Sequence, residues 1–172
     1  LLMILWEDFD KNELYILILL VVSYIAFFLF PKRLPTSITI LFLVWGFASS
    51  TLFDFTIGGG LLDFYKVNDS NEYELFDLLS YFLFAPFSYF FVYFYERFKI
   101  GRKAFIIYVL GWCIVGLLME KVSGFMGLTH YQHGYSMKYS LIVFLVVQTS
   151  TALYYELIKK KEPFLEKLKQ GH

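Results

Sequence analysis

Cysteine is nearly absent: the one thiol, Cys113, stands inside an apolar run. No intramolecular disulfide can form, and a zinc site built on paired thiolates is excluded. An excess of charge of either sign is also lacking, because fifteen basic and fifteen acidic side chains cancel. The balance points to no nucleic-acid partner, so the positions of the charges carry the information. Catalytic signatures are missing as well, with no G-x-S-x-G, H-E-x-x-H, C-x-x-C or dinucleotide fingerprint anywhere. No stretch rich in Ser, Gly or Pro divides the 172 residues and no internal repeat is evident. One helical domain is therefore expected, and a transporter built from inverted repeats is disfavoured.

What the chain does have is apolar surface. It is 58% hydrophobic and 22% aromatic with mean hydropathy +0.58, too apolar for an ordinary soluble domain of its size. Its first expected partner is a lipid bilayer. Five uncharged or nearly uncharged runs approach the length of roughly twenty residues that a membrane helix needs. They are continuous rather than alternating, and backbone groups in lipid must be paired within their own segment, so helices are expected and a β-barrel is not. The predicted fold class is an all-α integral membrane helical bundle with five transmembrane helices. Its spans are 14–30, 36–55, 75–95, 104–122 and 139–155, followed by a cytoplasmic tail at 156–172. The segment before the first span is acidic, with Glu7, Asp8, Asp10 and Glu13, and no small-residue cleavage site precedes Pro31. That run is read as a retained span rather than a signal peptide. Because the chain begins at Leu1 rather than Met, a natural start further upstream is expected.

Lys and Arg set the orientation. Eleven fall in "PKRLP", in the 96–103 loop and in the tail, against four on the other side (Lys11, Lys66, Lys121, Lys138). By the positive-inside rule the N-terminus lies outside and the C-terminus in the cytoplasm. The acids divide the opposite way, eleven outer to four inner.

The outer acids are the candidate chemistry. At 1.5 Å per residue, Asp54 and Glu120 lie roughly 24 to 27 Å from the cytoplasmic ends of their helices, near the outer boundary. Asp77 opens the third span at that boundary, and Asp63, Tyr131, His130 and His133 sit in the outer loops. The predicted functional cluster is Asp54, Asp63, Asp77, Glu120 and Tyr131, since intramembrane acids are costly to keep. In "GLTHYQHGYS" the spacing of His130 and His133 would put both imidazoles on one helix face. With Glu120 they would make a divalent-metal site. Gly127 and Gly134 bracket the pair, which equally suits a polar loop packed by Tyr131 and Tyr135.

Other motifs are read as structural. "KVNDSNEYE" lacks the glycine and the third ligand of a calcium loop and is expected to be an acidic solvated loop. "TIGGGLL" is not followed by Gly-Lys-Ser/Thr and is expected to end the second helix. Pro86 predicts a kink near Phe82 to Pro86. Tyr89, Tyr93 and Glu96 share a face that would either pack or line a crevice, and Gly46 with Ser50 would admit a neighbouring helix closely. The tail, with Pro163 as a helix start, would lie amphipathically on an anionic leaflet.

The stretch beginning "NEYELFDLLSYFLFAPFSYFFVYFYERF", with Glu74, Asp77 and Pro86, then Arg102, Lys103, Tyr108, Trp112 and Glu120, ends in Gly127, Tyr131, Gly134 and Tyr135. Over about residues 54–155 it resembles a family of small multi-pass membrane proteins of Bacillus-like spore-forming bacteria. The resemblance implies the helical fold and the bacterial cytoplasmic membrane, and it carries no activity across.

Three functions are weighed. The favoured expectation is a non-enzymatic accessory or interaction subunit, associating with a membrane-protein partner or with copies of itself. The second is a cation- or proton-coupled carrier or channel component using Asp54, Asp77 and Glu120. The third is a membrane metalloenzyme using Glu120, His130 and His133.

Overall fold

A computed structural model of the protein describes residues 9–58, 61–67 and 75–170, with side chains up to residue 161. Five helices run in order: α1 (Lys11–Leu29), α2 (Thr36–Thr56), α3 (Leu75–Arg97), α4 (Arg102–Phe125) and α5 (Met137–Gln170). Each is long and apolar enough to cross a membrane. The five expected spans are thus all present as helices, and the ends are where expectation and structure part.

Helix α1 starts three residues before its apolar run because Asp10 caps it. The Asn12 N–H donates to Asp10 Oδ1 at 2.9 Å, and Glu13 Oε2 accepts from the Asp10 N–H at 2.9 Å. This reciprocal capping box satisfies amides that would otherwise be orphaned at the helix start. Helix α4 begins at Arg102, directly after Gly101, and runs on to Phe125, three residues past the expected end. The largest difference is at the C-terminus: instead of a separate segment starting at Pro163, α5 continues without a break from Met137 to Gln170.

The loops also hold strand, which apolar runs alone do not announce. β1 (Tyr65–Val67) comes from the α2–α3 connection and β2 (Thr129–Tyr131) from the α4–α5 connection. They pair antiparallel with Tyr65 opposite Tyr131, Lys66 opposite His130 and Val67 opposite Thr129. The Gln132 N–H donating to the Phe64 carbonyl at 2.8 Å extends the tie. Two loops distant in sequence become one cap over the same end of the bundle.

Helix α3 is the central element. Half of its most apolar window is buried, 50% against 17% for α1, α2 and α4. It packs on α1 and α2 and touches α5, while α4 and α5 pair with one another. Pro86 lies inside α3 and cannot donate to the carbonyl four residues back. That acceptor, the Phe82 carbonyl, takes the Tyr24 hydroxyl from α1 at 3.1 Å instead. Tyr89 and Tyr93 are buried in the core, their rings 5.8 Å apart, so the tyrosine face packs rather than lining a crevice.

Phe42 fills the core between α2 and α5. It is wholly buried, with the rings of Tyr154 and Tyr155 at 5.7 and 5.8 Å. Phe42→Ala removes those contacts and leaves a hole, and is expected to cost about 3 to 5 kcal/mol. The single buried thiol, Cys113, supplies the measurement, because a thiol-reactive dye reports the temperature at which the core opens. An unchanged midpoint would show that the ring is not part of the stable core.

Candidate functional site

Polar side chains in an apolar bundle must find partners or a ligand. Here they gather around one cavity of about 240 Å³ lined by residues of all five helices and of the β1–β2 ladder. Asp54 and Glu120 both line it. So do hydroxyls at Tyr65, Tyr81, Tyr135 and Ser140.

Asp54 sits in the last turn of α2. Its Oδ2 accepts a short hydrogen bond from the Tyr81 hydroxyl of α3. Gly58, one turn on, has no side chain to interfere: a Cβ there would stand 2.6 Å from Asp54 Oδ1 and 3.0 Å from the Tyr65 ring. Glycine at 58 therefore lets the ring of the β1 tyrosine settle beside the carboxylate.

Glu120 lines the same cavity from α4. Its Oε1 accepts from the Tyr131 hydroxyl at 2.7 Å and, in a shorter bond, from the Ser140 hydroxyl at the start of α5. Ser140 and the Tyr135 hydroxyl are 3.0 Å apart and continue the network. The second oxygen, Oε2, is buried and has no hydrogen-bond partner among the described residues, as is the Ser88 hydroxyl deeper in the cavity wall.

The tyrosines of the cap respond to this setting. Burial pushes the Tyr65 hydroxyl far up from its ordinary value, and the negative charges of Asp54 and Glu120 push it further. Burial, then Glu120, does the same to Tyr131. Tyr135 is raised by burial, with Ser140 opposing and Glu120 adding to it. Loss of the proton would place a phenolate beside two carboxylates at Tyr65 and beside Glu120 at Tyr131 and Tyr135, so these hydroxyls stay protonated at any physiological pH. Their aromatic faces pack around Tyr135, with Phe64 stacked at 5.7 Å and Tyr131 at 5.6 Å.

The structure sorts the expected site residues into two groups. Asp54, Glu120 and Tyr131 join in or beside the cavity. Asp77 is buried in the first turn of α3 without being one of the lining residues, and the Ser80 hydroxyl of the same turn donates to its carbonyl. Asp63 lies outside, half-exposed at a positive φ of 50°, its Oδ2 4.0 Å from His133 Nδ1.

The histidines do not converge on Glu120. His130 is on strand β2, where its Nε2 meets the Gly127 carbonyl at 2.7 Å. His133 is in the following turn at φ 50°, its Nδ1 2.7 Å from the Asp63 carbonyl. A spacing of three puts side chains on one face of a helix, but the chain here leaves strand β2 at Tyr131 and turns, so the helical rule does not apply to the pair. Among the described residues no group of three His, Cys, Asp or Glu side chains stands together to hold a metal. Of the acidic loop, Asp69, Glu72 and Glu74 lie outside the described residues.

Several members of the site had no signal of their own in the sequence. Tyr65 reaches the cavity only through the pairing of two loops, and Ser140 through the approach of α5 to α4. Small polar residues inside apolar runs were the available sign, since Ser49, Ser50, Ser88, Gln148 and Thr151 all line the cavity. Comparison with protein-family models, with curated proteins and with solved structures finds no match.

Proposed function

We propose that the chain crosses a membrane five times and serves as a cation- or proton-coupled carrier component whose working groups are Asp54 and Glu120. The observation that carries the reading is their meeting in one interior cavity with no Lys, Arg or His among its described lining residues. A carboxylate inside an apolar span costs a few kcal/mol to keep, so two facing one space with no basic partner on its walls are set up to hold a proton or cation. The N-terminus outside and C-terminus cytoplasmic follow from the basic ends at Lys32 and Arg33, at Arg97 to Lys103, and at Lys159 to Lys161. A bacterial cytoplasmic membrane is the matching location.

An accessory-subunit reading rests on the chain's small size and its lack of catalytic motifs and repeats, and the small-residue pair at Gly46 and Ser50 adds nothing to it. Gly46 faces α3 of its own chain, where a Cβ would meet the Phe84 carbonyl at 2.4 Å. The small-residue contact is consumed inside the bundle.

The test is ion flux in proteoliposomes. An imposed proton or alkali-cation gradient should relax faster through vesicles holding the protein than through empty ones. Glu120→Gln, which keeps the shape and removes the negative charge, should slow it by at least about tenfold. Equal leakage from protein-containing and empty vesicles, or an unimpaired Glu120→Gln variant, would sink the carrier reading.

A further inference from the structure

The cavity is longer than an inorganic ion needs. Its α2 wall runs from Trp45 to Asp54 and its α5 wall from Ser140 to Thr151. Those separations are roughly 14 Å and 16 Å at 1.5 Å rise per residue. The two acids occupy one end. Along the rest the walls are mainly apolar and aromatic, with Phe53, Phe84, Phe87, Phe144 and Val147 among the lining residues.

Such a space is amphipathic: an acceptor-rich, negatively charged head region and an apolar shaft. Glu120 Oε2 supplies a buried acceptor that nothing in the chain satisfies among the described residues. An N–H donor carrying positive charge meets that need, and aromatic faces nearby favour a cation further. A carboxylate or phosphate would face two like charges with no basic residue on the described walls. A neutral apolar chain would fill the shaft and leave the acid end unpaired.

We propose that the cavity binds a primary organic ammonium with an apolar, aryl- or alkyl-bearing body, its ammonium between Glu120 and Asp54 and its body along the α3–α5 wall. This deepens the carrier reading and rests on it for the role of the two acids, while naming the class of cargo.

Three probes of matched body decide it: 4-phenylbutylammonium, 4-phenylbutanol and 4-phenylbutanoate, each added to purified protein while dye labelling of Cys113 follows thermal opening. Binding to the folded form raises the midpoint in proportion to occupancy. The ammonium should reach half-maximal stabilisation at a concentration at least about tenfold below that of the alcohol, with no saturable effect of the carboxylate. Glu120→Gln and Asp54→Asn should each abolish the ammonium's advantage over the alcohol. If either variant fails to fold, the ranking of the three probes on the unaltered protein still decides. Alcohol equal to ammonium, carboxylate binding as well as either, or no saturable binding by any probe overturns the proposal. Loss of flux in Glu120→Gln alongside no ammonium binding would leave the carrier reading standing and remove this cargo. Binding without any flux would do the reverse.

Discussion

Gly46→Leu is expected to abolish the folded protein, and Gly46→Ala to weaken it by about 1 to 3 kcal/mol, the usual range for overpacking a tight contact. A Cβ at position 46 would lie 2.4 Å from the Phe84 carbonyl oxygen, 2.8 Å from Ser88 Cβ and 3.1 Å from Ala85 Cα. Two of these three neighbours are backbone atoms of α3, so rotating a side chain cannot relieve the clash. The helices themselves must separate, and the α2–α3 contact is the most extensive in the molecule. Ala at a helical position gains a little intrinsic propensity over Gly, about 1 kcal/mol, which is too small to offset the steric term for Leu. The measurement is the midpoint of Cys113 labelling for both variants. Because Gly46 also lines the cavity, the surviving Ala variant should lose probe binding along with stability. An Ala variant as stable as the parent would mean that α2 and α3 are not held at this distance.

That contact shows what was and was not legible from residues alone. The apolar runs announced all five helices, because a run of that length has few other ways to satisfy its backbone. Local capping decides helix ends, and Asp10 with Glu13 moved the start of α1 to Lys11. Interior polar chemistry was half legible. Depth along each span placed Asp54 and Glu120 at one end of the bundle, but depth says nothing of rotation about the helix axis. Rotation is set by tertiary packing, which turns Asp54 and Glu120 into the cavity while Asp77 lies outside its lining. For His130 and His133 the polar-loop alternative fits and the one-face helical spacing does not: His130 falls on a short strand and His133 in the turn after it, and the strand's register is fixed by a partner sixty-six residues away, Tyr65 against Tyr131. No local pattern carries information of that range.

Ile114→Arg is expected to cut the yield of folded protein in the membrane fraction at least about tenfold, through a change in insertion energy of about 3 to 4 kcal/mol at a helix centre. Ile114 stands near the middle of α4 and is 57% exposed on the bundle surface. Its neighbours on the outside are similar, with Ile107 and Leu118 also exposed. The sign of the effect separates two solvents. On a surface facing water, replacing an exposed isoleucine by arginine removes apolar area from water and is neutral or favourable. In a hydrocarbon surround the same change puts a guanidinium roughly 16 to 18 Å from either end of the helix, beyond comfortable reach of the headgroups by its side chain. Ile114→Leu controls for shape and should leave the yield unaltered. Arginine tolerated as well as leucine would show that the face of α4 does not meet lipid, and would remove the physical ground on which a carboxylate-lined cavity between these helices counts as costly.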